Sequence, residues 1–226
     1  MKKKILFITL FSLVGLLAFQ INFTNIVGSA QRFTLFEFIA PIGGMIIGPI
    51  AGAISAFMVR GVHVITDNQP IDLVTILRFL PMIIAAVYFG TKSKKNMIVP
   101  LLCMILFIAH PQGRQAWYYS LYWLIPVFSE LKKDRLILRG LGATFTAHAI
   151  GSVIFLYAFN LPAAVWIGLI PIVALERGLF AVGIWCSYLI FNNGLEILNT
   201  KVKLSVLKPL INPRYLISKN FLKYSA

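Results

Sequence analysis

Acidic residues are scarce in this chain. Seven Asp and Glu stand against 21 Lys and Arg in 226 residues, and charged residues of both signs make up only 12%. A soluble globular chain carries about 25% charged and about 45–50% apolar residues, whereas this one is 59% hydrophobic. A water-soluble domain of this size has too little interior to hide that much apolar surface, which excludes a soluble enzyme, and the same composition excludes a disordered chain. Cysteine is nearly absent too. Cys103 and Cys186 both lie in apolar runs, so a disulfide-rich secreted domain is excluded and the two thiols read as packing residues. There is no G-x-x-x-x-G-K-[ST] stretch and no H-E-x-x-H, and His63, His110 and His148 lack ligand-like spacing. No catalytic residue, metal or cofactor is therefore expected. A Ser-His pair for proteolysis within the membrane has no G-x-S-x-G context to support it.

What is present is a mean hydropathy of +0.84, carried by long apolar runs. The chain reads as one all-α, polytopic membrane domain. A spanning helix needs about 20 apolar residues. The first candidate runs from Ile5 to about Ile26 behind Lys2–Lys4, and it reads as an uncleaved span although Gly28-Ser29-Ala30 resembles a cleavage site. Residues 35–65 are too many for one span and are interrupted by Gly48-Pro49, a strong turn signal, so two short helices are expected. Gly44, Gly48, Gly52 and Ser55 recur at roughly four-residue spacing, which lets helix backbones approach closely in lipid. Further spans cover about 73–90, 136–160 and 165–191. Residues 97–109 and 116–128 are each short for a crossing and form two thin spans or one re-entrant hairpin. The expectation is six core transmembrane helices plus this extra hairpin (97–128). Residues 1–195 form the membrane domain, and 196–226 a basic cytoplasmic tail that is either amphipathic on the inner leaflet or partly ordered.

The net charge of +14 sits in clusters between apolar runs, so it reads as topology rather than a nucleic-acid stripe. With the N-terminus cytoplasmic, sixteen basic residues fall inside: Lys2–Lys4, Lys92, Lys94, Lys95, Lys132, Lys133, Arg135, Arg139 and six from Lys201 onward. Only Arg32 and Arg114 fall outside, while Arg60, Arg78 and Arg177 lie within spans. A single span over 35–65 would break this bias, so charge and length agree on the turn. The result is a multi-pass protein of the cell membrane with both termini cytoplasmic.

An ionisable side chain within lipid is expensive and marks a functional site. Glu37, Arg60, His63, Arg78, His148, Glu176 and Arg177 are the candidate substrate-binding residues, mostly in the outer half or near mid-depth. Glu176 and Arg177 are adjacent and point about 100° apart on a helix, so each is expected to find a partner elsewhere, Glu176 with Arg60 or Arg78. The set leans positive, which suits an anionic solute. Trp117, Tyr118, Tyr119, Tyr122 and Trp123 read as an interfacial belt.

The stretch Phe36 to Ser55, with Gly43-Gly44, Gly48-Pro49 and Gly52, resembles the substrate-binding S components of energy-coupling factor transporters. Those proteins carry a short second helix, a Gly-Pro turn and a small-residue third helix. Residues 73–90 ending at Lys92–Lys95 also look like their fourth helix, and the last two spans like their closing pair. The resemblance implies a subunit that captures a vitamin-like micronutrient from outside. It also implies a transmembrane coupling protein and ATPase subunits as partners. Similar hairpins occur in membrane sensors, so a sensory or scaffold module that transports nothing is the alternative.

Overall fold

The computed structural model describes residues 2–25, 32–132, 134–203 and 205–217. Among these, the chain is almost wholly helical. The helices are α1 (Lys2–Phe19), α2 (Phe36–Ile46), α3 (Pro49–Thr66), α4 (Leu73–Leu77), α5 (Leu80–Gly90) and α6 (Ile98–Ala109). They continue with α7 (Pro111–Gln115), α8 (Leu124–Leu131), α9 (Leu136–Phe159) and α10 (Ala163–Val202). Four segments are long and apolar enough to cross a membrane: α3, the α4–α5 run Leu73–Gly90, α9 and α10. Large apolar side chains face outward along them, Ile50, Ile65, Leu73, Leu175 and Ile190 among them. In water such surface would be an association liability; in lipid it is the solvated face.

Helix α9 is the axis of the bundle. It buries 61% of its most apolar stretch, against 28% for the other three. Small residues set the spacing around it. A Cβ on Gly44 would meet the backbone of Ala86 and Gly90, and one on Gly52 would meet the backbone of Gly43 and Gly44. Helices α2, α3 and α5 thus touch main chain to main chain, as the four-residue spacing predicts. Ser55 completes the pattern by bonding Ser12 of α1, Oγ to Oγ at 2.9 Å. Gly48 joins α2 to α3 with φ +97° and ψ 154°, a region essentially closed to side chains, and Pro49 opens α3 where its missing N–H costs nothing.

Four expectations are corrected. First, the opening helix stops at Phe19 rather than running to Ile26. Polar Asn22–Asn25 instead forms a strand, β1, antiparallel to β2 (Arg32–Thr34), pairing Asn22 with Thr34 and Asn25 with Arg32. The cleavage-like Gly28-Ser29-Ala30 lies outside the described residues, as do Lys133, Lys219 and Lys223. Second, α10 continues to Val202, so the expected 195/196 boundary falls inside a helix. Third, the tail, expected to be amphipathic on the leaflet or partly ordered, docks on α10 as far as residue 217. Asn212 N–H donates to Asn192 Oδ1 at 2.7 Å, Asn192 Nδ2 returns a bond to Asn212 O at 3.0 Å, and Ile217 N–H donates to Asn193 Oδ1 at 2.9 Å. Two adjacent amide side chains, which mimic peptide groups, clamp the segment onto α10. Fourth, Arg139 is not a loop charge. It is buried in the first turns of α9 and donates to Phe89 O at 2.8 Å, a cation at the negative end of α5.

Residues 97–128 descend as α6 and return through α7, a 3-10 helix (Trp117–Trp123) and α8. The two ends meet. Glu130 accepts from Ser93 N–H at 2.9 Å and Asn96 Nδ2 at 3.0 Å, and Lys92 pairs with Asp134, which Arg214 also reaches at 3.2 Å. One end of the bundle therefore gathers the loops at 92–96 and 130–135 with the docked tail. The Lys92 ammonium, hydrogen-bonded to Asp134, together with Arg214, holds that carboxyl below its ordinary value.

Candidate functional site

Two apolar clusters fill the bundle. One is built mainly from α1, α2, α3 and α5, and the other from α6, the 3-10 helix, α9 and the first half of α10. Where they meet, away from the lysine-rich end, a cavity of about 170 Å³ opens among β2, α2, α3, α5, the 3-10 helix, α9 and α10. Cavities near 150 Å³ hold about one aromatic ring. Six of the seven residues singled out in the sequence line it: Glu37, Arg60, Arg78, His148, Glu176 and Arg177. His63 does not. It turns away to pair with Asp67 at 3.4 Å and Gln69 at 3.4 Å, with its ring 3.9 Å from that of Phe19.

Each charge is positioned from its own element. Glu37 sits in the first turn of α2, where its carboxylate accepts from the Thr34 N–H at 2.7 Å and the Thr34 hydroxyl at 2.8 Å. Thr34 Oγ1 in turn accepts from Phe36 N–H at 3.3 Å. This is the reciprocal logic of a capping box, and the Thr34-x-x-Glu37 pattern in the sequence announces it. The other Glu37 oxygen lies 3.7 Å from Arg60, whose guanidinium also rests 5.1 Å from the centre of the Phe19 ring.

The expected cross-helix partner for Glu176 is replaced by its neighbour. Arg177 Nη2 donates to Glu176 Oε2 at 2.7 Å. Two long side chains leaving one helix about 100° apart still meet when both bend toward the same space, here the cavity. Arg177 is only 3% exposed, packs over Phe180 at 4.1 Å and Phe33 at 4.8 Å, and reaches Thr144 Oγ1 at 3.4 Å. Its Nε, like that of Arg60, is buried without a hydrogen-bond partner among the described residues. Such an unmet donor costs about 1–3 kcal/mol, which an acceptor entering the cavity would offset.

Arg78 differs. It caps the short α4, is half-buried and stacks at 5.5 Å over Phe155, and it pairs with no acidic side chain among the described residues. Asp72, just outside the span, is occupied at the start of α4. Its carboxylate accepts the Thr75 N–H at 2.7 Å, which lowers its pKa.

His148 stands at the middle of α9, and its bonds fix its form. Trp123 Nε1–H can only donate and does so to His148 Nδ1 at 3.2 Å. The ring is therefore neutral with its proton on Nε2, facing the Tyr119 hydroxyl at 2.9 Å and the Ser152 hydroxyl at 3.4 Å. Here the belt reading of the aromatics fails in part. Trp117 is 52% exposed, but Tyr119 and Trp123 are fully buried beside Phe107, Trp166 and His148. Within the 3-10 helix Tyr119, Ser120 and Trp123 are buried, while Trp117 at its start is exposed. Tyr119, Ser152, Phe155 and Trp166 are cavity residues that the sequence reading missed. Spacing held a signal for two of them, because Ser152 and Phe155 follow His148 at i+4 and i+7, one face of a helix.

No protein-family profile matches the chain, and no solved structure matches it. An uncharacterized protein of Methanocaldococcus jannaschii is 26% identical over 250 aligned positions, which cover 97% of this chain and 83% of the relative.

Proposed function

We propose that the chain is a membrane-embedded binding protein for a small solute, acting as the substrate-capturing subunit of a transporter of the energy-coupling factor type. In this reading it has six core transmembrane helices plus the 97–128 hairpin. Both termini are cytoplasmic, and the cavity faces the outside. Separate coupling and ATPase subunits supply the energy, and the chain itself is not an enzyme. One observation carries the proposal: six ionisable side chains, contributed by α2, α3, α9, α10 and the α4–α5 junction of an apolar bundle, line one cavity. Structural ion pairs would not need a space between them. The lysine-rich end, far from the cavity, fits the cytoplasmic side.

The test is mass spectrometry of small molecules retained by the purified protein, compared with Gly151→Leu. Gly151 lines the cavity, and a Cβ there meets nothing within 4 Å, so the larger side chain fills the cavity without breaking packing. A molecule retained by the parent and lost in the variant supports binding. Co-purification of a membrane coupling protein and ATPases separates a transporter subunit from a sensor.

A further inference from the structure

Resting on that binding reading, we infer that the cavity takes a monoanion about the size of one aromatic ring. Its anionic group sits on Arg78, and an acceptor atom elsewhere on it meets the Tyr119–Ser152 hydroxyl pair.

The charge count limits the solute. Three arginines and two glutamates line the cavity, and the glutamates are taken by Arg60 and Arg177. His148 is neutral by its bond from Trp123. Among the described residues that line the cavity, one positive charge is left, and it is on Arg78. A dianion would bring a second charge with no free cation among those residues to meet it, and a cation would face Arg78 in a space partly screened from water. A single carboxylate suits the guanidinium, which offers two parallel donors.

The hydroxyls limit it further. His148 Nε2–H, Tyr119 O–H and Ser152 O–H supply three hydrogens at one place. The imidazole donates to one of the two hydroxyls, which leaves an O–H to be donated into the cavity. Phe155 and Trp166 supply flat apolar walls beside it, and the volume sets the size.

Benzoate has this charge and size but no second acceptor, so it probes the Arg78 contact by itself. Equilibrium dialysis of labelled benzoate against the full chain, in discs of uncharged phosphatidylcholine, should show saturable binding. Benzamide, the neutral isostere, should bind about 10- to 100-fold more weakly, as should the dianion phthalate. Arg78→Gln should lose benzoate binding by a similar factor while Arg78→Lys keeps part of it, and Gly151→Leu should abolish it. Absence of benzoate binding, equal binding of benzamide, or unchanged binding by Arg78→Gln overturns the inference. An anionic lipid headgroup could satisfy the same guanidinium, so the titration is repeated with phosphatidylglycerol in the discs. Unchanged affinity is expected, and competition by that lipid assigns Arg78 to the membrane and overturns the inference too. A retained solute that proves neutral or cationic would leave the binding reading standing and remove only this one.

Discussion

Replacing Arg177 with Gln takes the cation from a buried pair and leaves Glu176 behind. The pair is close, 2.7 Å, with the arginine side chain 4% and the glutamate side chain 22% exposed. Breaking a buried pair costs about 3–5 kcal/mol, because the remaining charge stays desolvated. The partial exposure of Glu176 puts the loss near the lower bound, and the stacking on Phe180 and Phe33 adds to it. For a chain of this size each kcal/mol is worth about 2–4 °C, so Arg177→Gln should melt about 6–12 °C lower. Arg78→Gln loses only a stacking contact at 5.5 Å, about 0.5–1 kcal/mol or roughly 1–4 °C. Glu176→Gln combined with Arg177→Gln should melt above Arg177→Gln alone, since no charge is stranded. Thermal melts in detergent, followed by tryptophan fluorescence, check all three. An Arg177→Gln protein that melts within about 2 °C of the parent, or no farther from it than Arg78→Gln, would refute the assignment of Arg177 to structure and Arg78 to ligand.

Two glycines should fail for different reasons. Gly48→Ala forces a side chain into a backbone region nearly reserved for glycine, at about 1–3 kcal/mol, although space is open there; Gly44→Ala drives a methyl into the Ala86 backbone and should cost about 1–3 kcal/mol. Gly168→Ala, with open space and ordinary helix geometry, should be neutral or stabilising in the same melts. The Asp134 carboxyl is held below its ordinary 3.8 by Lys92 and Arg214, so its contribution is present above that value and is lost as pH falls through the lowered one; proteolysis of the docked tail should accelerate only in that acid range. Cysteine at position 94 should be labelled only from the cytoplasmic side and at position 67 only from outside, and external labelling at 94 would overturn the hairpin topology.

The Gly48-Pro49 turn and the close helix approach at Gly44 and Gly52 were legible because each is a local backbone demand written in residue type. The charged residues of the cavity and His148 were legible because an apolar sequence makes an ionisable residue conspicuous. The partners of those charges were not. Pairing depends on how long side chains bend, so Glu176 joined Arg177 against the helical-wheel angle, and Arg60 joined Glu37 across two helices. Tyr119 and Trp123 differ from the belt reading because a run of aromatics does not report which of its rings packs inward. Gly15, to which the sequence gives no special role, packs on Val59 and Phe36. The Asn192–Asn193 clamp depends on residues 20 to 24 positions apart, where no short pattern forms.

The central claim is that the cavity holds a solute within the membrane domain. Small-molecule mass spectrometry on the purified parent and on Gly151→Leu, prepared identically, tests it most directly. The account predicts a stoichiometric anionic molecule in the parent that is missing from the variant, with the variant melting as the ligand-free parent does. The same molecules at equal levels in both, or none in either, would contradict it.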